Sequence, residues 1–235
     1  MPEFKLDHVV IQTPDRDGFV RQVAEASGLP VLRGYAASEV VHSLGVRFAN
    51  GPFLDVFTTG TPGTAMILQG SVDTAERLAT AQGWAARFDR REIRPAAHPA
   101  FPWSMALFRR GQGLLTKVGV IEYAPEAVAW ADPDFSGGLY RPAPEGTATL
   151  ARVWLSAEDT ARAERDLAVL GYRASGEARS ASWPHAGRRL AGPAADLVLF
   201  EGADGVARLD IATGRGRPRE IVPTGAPWLV LDEGS

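Results

Sequence analysis

Two kinds of apolar pattern alternate along the chain, and the alternation recurs. Leu6-Asp7-His8-Val9-Val10-Ile11 is an apolar, β-branched run that predicts a strand. Thr13-Pro14-Asp15 breaks it, and Phe19, Val20, Val23 and Ala26 then share one face of a helix that Ser27-Gly28 ends. Strand patterns follow at 30–36, 43–49 and 53–58, with Asn50-Gly51 as a hairpin signal between the last two. The order β-α-β-β-β then restarts at Ala65-Met66-Ile67-Leu68. Ser71 is the expected N-cap, Val72, Ala75, Leu78 and Ala79 line the helix, and strands are expected at 86–88, 103–108 and 117–123. A third cycle opens at Leu150-Ala151-Arg152-Val153-Trp154-Leu155. Ser156 is expected to cap its helix, and strands are expected near 172–174, 197–200 and 206–212.

Two matches between cycles one and three mark a repeat. Their opening strands align, and Leu54-Asp55-Val56-Phe57-Thr58-Thr59-Gly60 is echoed by Leu209-Asp210-Ile211-Ala212-Thr213-Gly214. The expected organisation is a unit over 4–146, made of modules 4–60 and 64–124 and a Pro-rich connector. A third module over 147–214 and a C-terminal tail over 215–235 follow. Strand alternation puts Leu6, His8, Val10 and Gln12 on one face and Asp7 on the other. The fold class is α+β, with three β-α-β-β-β modules.

Composition narrows the chemistry. In 235 residues, 45% hydrophobic and 23% charged content is ordinary for a soluble chain with a core, and a net charge of −3 argues against nucleic acid as a partner. The absence of cysteine excludes thiolate zinc sites, disulfide scaffolds and thiol catalysis. The four histidines are His8, His42, His98 and His185, so a metal would need histidine, carboxylate, amide or backbone oxygen. No signal-peptide pattern opens the chain, and no apolar run approaches the roughly 20 residues of a membrane helix. A cytoplasmic protein without a membrane partner is expected. Lys5 and Lys117 are the only lysines, and this Arg-, Ala- and Gly-rich usage suits a high-GC bacterium. There is no glycine-rich phosphate loop and no Gly-x-Ser-x-Gly elbow.

The repeated units, with the first strand around His8, then His42-Ser43-Leu44-Gly45 and Asn50-Gly51-Pro52-Phe53-Leu54-Asp55-Val56, resemble the vicinal oxygen chelate superfamily. That superfamily includes glyoxalase I, extradiol dioxygenases, and bleomycin and fosfomycin resistance proteins. The resemblance is to its glyoxalase-like branch and runs from Phe4 to about Gly214. It implies curved mixed sheets from paired modules facing each other around a cleft. It also implies a divalent metal (Mn, Ni, Fe or Zn) held by first- and last-strand residues, here His8, Asp55 and Glu122. The second first-strand histidine falls near Ala65, which has no donor, and module three has Arg152 and Asp210 in the corresponding positions.

On this resemblance Glu122 and His98 are the catalytic candidates, and His42, Trp103 and Phe108 line the substrate cleft, with Trp130 as a further wall. Each has an ordinary reading beside it. His8 suits a core histidine, Asp55 a polar position near a hairpin, Glu122 a solvated strand residue, His98 an exposed loop, and the aromatics plain core. Two functions follow for a small-molecule ligand. One is a metal-dependent isomerase, lyase or dioxygenase that chelates adjacent substrate oxygens. The other is a metal-free binding protein of the sequestration or resistance type, which Ala65 and Arg152 favour. An odd third module is expected to pack on a second subunit, as a homodimer, or on the back of the first pair.

Overall fold

The computed structural model describes residues 4–34, 36–37, 40–41, 43–84, 89–93, 103–108, 113–123, 147–214, 219–222 and 226–232. Its first half runs β1 (Lys5–Thr13), α1 (Arg16–Ser27), β2 (Leu32–Arg33), β3 (Ala36–Ala37), β4 (Val40–Val41), β5 (Ser43–Arg47) and β6 (Phe53–Thr58). It continues as β7 (Gly63–Gln69), α2 (Val72–Ala81), β8 (Asp89–Ile93), β9 (Trp103–Leu107), a 3-10 turn at Leu114–Lys117, and β10 (Val118–Tyr123). The second half is β11 (Thr149–Ala157), α3 (Thr160–Val169), β12 (Arg173–Ala178), β13 (Gly187–Ala191), β14 (Asp196–Glu201), β15 (Gly205–Ala212), β16 (Arg219–Ile221) and β17 (Trp228–Leu231).

Local chemistry sets the helix ends. Asp15 accepts the Gly18 N–H at 3.0 Å to start α1, and Gly28 ends it in the left-handed region at φ 74°. Ser71 caps α2 through the Thr74 N–H, as its sequence position suggests. In α3 the cap is Asp159, which accepts the Arg162 N–H at 2.9 Å. The expected cap, Ser156, lies three residues earlier inside β11, where its hydroxyl donates to the Ala203 carbonyl.

The strands form two large mixed sheets of one plan. The first has the order β2-β5-β6-β1-β7-β10-β9-β8, the second β12-β13-β14-β11-β15-β17-β16. In each, the two central strands are antiparallel, β1 with β7 and β11 with β15, and each has a parallel neighbour on its outer side. Even the irregularities match, with a register shift between Leu6 and His8 in β1 and between Leu150 and Arg152 in β11.

This topology corrects three expectations. Residues 206–212 do not close the third cycle: β14 does, and β15 opens a further half-sheet. The echo of Leu54–Gly60 in Leu209–Gly214 therefore joins strands that are not equivalent, because the same apolar-acid-apolar pattern suits either strand. Residues 215–235 are not simply a tail, since β16 and β17 lie within them and extend the second sheet. The third module thus pairs within its own chain, and the odd-module argument for a second subunit falls away.

The helix-side faces of both sheets and all three helices contribute to one core, with Val9, Ile11, Leu54, Val56 and Leu68 from the first sheet and Val153, Leu155, Leu199, Leu209 and Leu229 from the second. The opposite faces carry separate small clusters, Ile67-Trp103-Ile121 on the first and Trp154-Ala178-Val198-Phe200 on the second. Each sheet therefore has a core face and a trough face, as period-2 side chains require. Among the described residues no helix is long and apolar enough to cross a membrane.

Asn50 ties the sheets together. Beside Gly51 (φ 110°) it makes the β5–β6 turn, and its amide donates to the Leu150 and Ala194 carbonyls, both at 2.9 Å. Its Oδ1 accepts the Leu150 N–H at 3.1 Å. Asn50→Ala removes all three bonds and is expected to lower the unfolding free energy by about 1–3 kcal/mol in urea titrations. An unchanged urea midpoint would show that the joint is held elsewhere.

Candidate functional site

The trough of the first sheet contains a cavity of about 700 Å³. Its apolar walls include Val10, Phe57, Ile67, Trp103, Met105 and Ile121, and its polar lining includes His8, Gln12, Asp55, Thr64 and Lys117. The bulge in β1 decides who faces it. Leu6 turns into the core, while His8 and Val10 keep to the trough. Asp7, the extra residue of the bulge, carries its carboxylate to His8 and Tyr123. Plain alternation puts Leu6 with His8 and sends Asp7 away, because it does not contain a bulge.

His8 and Asp7 form a fixed pair. The His8 ring stacks on Phe53 with centroids 4.6 Å apart, and its Nδ1 lies 2.7 Å from Asp7 Oδ1. Tyr123 donates its hydroxyl to the same oxygen at 2.7 Å. In the neutral ring this assigns the proton to Nδ1 and leaves Nε2 as the acceptor. Arg47 lies with its guanidinium 5.4 Å over the Phe53 ring, within electrostatic reach of Asp7.

Asp55 is different. It stands on β6 opposite Val10, is 4% exposed, and its Oδ1 has no hydrogen-bond partner. Burial pushes its carboxyl above the ordinary 3.8. The nearby His8 and the Ser43 hydroxyl, which lies close but makes no hydrogen bond, oppose that rise, and the Asp7 charge adds to it.

Of the expected metal ligands, His8 and Asp55 share the cavity lining and Glu122 does not. On β10 the trough positions are Gly119 and Ile121, so Glu122 points to the helices, where Oε2 accepts the Val72 N–H at 2.8 Å at the start of α2. That corrects its assignment as ligand and catalytic residue, since it is a helix cap. Gly119, also on β10, has no side chain to offer a donor. Ala65 lines the cavity with a methyl group. Among the described residues no three His, Asp or Glu side chains are placed to hold a metal ion. The donor set of His8 and Asp55 does not fit the expected metal centre.

Trp103 lines the cavity, as the sequence suggests, but Phe108 does not. It is fully buried in the shared core, edge-on to Trp84 with centroids 5.7 Å apart, because it follows the last residue of β9 on the helix side. His42, His98 and Trp130 lie outside the described residues. Sequence reasoning missed Ile67, Met105 and Ile121, whose strand parity marks them, and also Asp7 and Tyr123, which only the bulge brings to the trough.

In the second trough the chain's own side chains form a dense cluster. Arg208 is fully buried, with its guanidinium 5.0 Å over Trp154 and 5.7 Å over Trp183. It donates to Asp210 Oδ1 at 2.6 Å and to Ser180 at 2.6 Å, while Trp154 donates to Asp210 Oδ2 at 2.8 Å. Both oxygens of Asp210 are thus used.

Asp55 makes stability pH-dependent in a defined direction. Well below 3.8 its carboxyl is protonated in the folded and unfolded chain alike and contributes nothing. As pH rises the unfolded chain ionises first, so folding is disfavoured by up to about 1.4 kcal/mol per pH unit until the folded carboxyl also ionises. Asp55→Asn removes this penalty. Its stability relative to the parent is expected to grow from about pH 4 upward and then level off, as urea unfolding at several pH values will report. A difference that stays flat would count against the buried, unpaired carboxyl.

No protein-family model matches the chain, and no curated protein matches it in sequence. Solved structures do. A hypothetical protein from Staphylococcus aureus superposes with a TM-score of 0.66 at 8% identity, over 97% of this chain and 98% of the other. Homoprotocatechuate 2,3-dioxygenase from Brevibacterium fuscum gives 0.63 at 12% identity, over 98% of this chain and 71% of the other. A catechol 2,3-dioxygenase gives 0.64 at 11%, over 100% and 89%. At such identities the likeness is one of architecture. The chain shares the α+β fold of these extradiol dioxygenases.

Proposed function

We propose that this chain binds a small, largely apolar molecule in the first-sheet cavity without a metal ion. The observation that carries the reading is the lining itself. A cavity of about 700 Å³ has the size of an ordinary ligand site, apolar walls and a few polar groups. The alternative of isomerase, lyase or dioxygenase chemistry through a chelated metal needs a third donor. Among the described residues none joins His8 and Asp55: Glu122 is bonded to α2, and Ala65 and Gly119 have no donor.

Two measurements test this. Elemental analysis after purification without chelator, and again after incubation with Mn²⁺, Fe²⁺, Ni²⁺ or Zn²⁺, is expected to find no stoichiometric metal. The neutral dye N-phenyl-1-naphthylamine is expected to bind saturably, and Ala65→Trp to weaken it about tenfold or more by filling the cavity, roughly 1.4 kcal/mol. One equivalent of metal lost on His8→Ala would restore the metalloenzyme reading. Dye binding indifferent to Ala65→Trp would move the ligand site away from this cavity.

A further inference from the structure

One polar atom of the first-sheet cavity is fixed in place and left without a partner, and it belongs to His8. The residue is 3% exposed, its ring is stacked on Phe53, and its Nδ1 is held by Asp7, whose Oδ1 also accepts from Tyr123. Nε2 is the other ring nitrogen of a residue that lines the cavity. Among the described residues it makes no hydrogen bond and, unlike Asp55 Oδ1, it is not enclosed. The remaining polar groups of the lining do not match it. Thr64 Oγ1 already accepts the Val206 N–H at 2.9 Å. Gln12 is exposed and Lys117 half-buried, so water reaches both.

The second sheet shows the matching position completed by the chain itself. The two bulges put His8, opposite Ile67, in register with Arg152, opposite Asp210. Arg152 finds its partner directly across the strands, with Nη1 3.7 Å from Asp210 Oδ2. The Ile67 side chain, across from His8, has no polar atom to give.

The chemistry of Nε2 limits what can meet it. With the Nδ1 proton directed to Asp7, the neutral ring has a lone pair at Nε2 that only accepts, so the ligand must donate. Nε2 carries no charge to offset the burial of an ion beside Val10, Ile67 and Trp103, and an unpaired buried ion is costly. A neutral O–H or N–H loses far less on leaving water and regains it in the new bond.

We propose that the ligand is an apolar molecule with one neutral donor, an O–H or N–H, which His8 Nε2 accepts while the apolar body lies along Val10, Ala65 and Ile67. This rests on the reading of the cavity as a metal-free ligand site and names the class of ligand. Asp7 sets the tautomer, and so keeps the lone pair on the nitrogen that faces the ligand.

Three compounds of one shape test it by displacement of N-phenyl-1-naphthylamine. They are 2-phenylindole, which donates, 2-phenylbenzofuran, which only accepts, and 2-phenylindene, which does neither. The pH is 8.5, above the value of about 6.5 at which a histidine in water takes up its proton. The indole is expected to bind about 5- to 50-fold more tightly than the indene, and the benzofuran no more tightly than the indene. His8→Phe keeps a ring against Phe53 and is expected to erase the preference. Should that variant not fold, ¹⁵N spectra of the parent decide. They are expected to show His8 as the Nδ1–H tautomer, with an Nε2 signal that moves upfield on adding the indole but not the indene. Equal affinity for indole and indene, tightest binding of the benzofuran, a preference that survives His8→Phe, or an Nε2–H tautomer would each overturn the proposal. A chain that binds the dye but shows no preference for the indole keeps the cavity reading and loses this one. A chain that binds neither loses both.

Discussion

A strand has two faces, and in this protein each sheet commits one to the core and the other to a trough. That parity is the constraint on which the site depends. Leu54 and Val56 must enter the core beside the helices, so Asp55 between them must enter the trough. Val118 and Val120 are held in the core in the same way, which leaves Gly119 and Ile121 as the trough positions of β10 and excludes Glu122. The bulge in β1 is the one break in this rule near the site. It keeps Leu6 in the core and His8 in the trough although they are two residues apart, and it brings Asp7 against His8.

The same plan is built twice with opposite outcomes. In the second trough, Arg208, Asp210 and Trp154 are bonded to one another and the Trp183 ring lies under the guanidinium. Such a buried pair is costly to desolvate and is tolerated because nearly every polar atom finds a partner. In the first trough, Asp7 is bonded to His8 and Tyr123, but Asp55 Oδ1 has no hydrogen-bond partner. Burial raises its carboxyl more than the nearby His8 and Ser43 lower it.

The fold neighbours include extradiol dioxygenases, yet the residues here part from the metal chemistry that the sequence resemblance suggested. The parting is local: the scaffold, the cleft and the first-strand histidine are present, and among the described residues the second half-sheet brings no third donor to them. Architecture is set by many apolar positions that tolerate exchange, whereas a metal site is set by three or four that do not.

The sequence by itself determined the strand-helix-strand rhythm, the helix ends at Gly28 and Ser71, the Asn50-Gly51 turn, and the α+β class. These depend on short-range patterns, in which each residue's contribution is made within a turn or a strand. It also pointed to His8, Asp55 and Trp103, which do line the cavity. Only the tertiary structure decided that β15 opens a half-sheet, that the last strands complete it, and that Asn50 joins the two sheets. Only it decided that Glu122 caps a helix and that Phe108 belongs to the core. Those outcomes turn on which strand pairs with which, and on a one-residue bulge that reverses the face of whatever precedes it. Pairing and register are settled by contacts between residues far apart in the chain, and a single sequence does not record them.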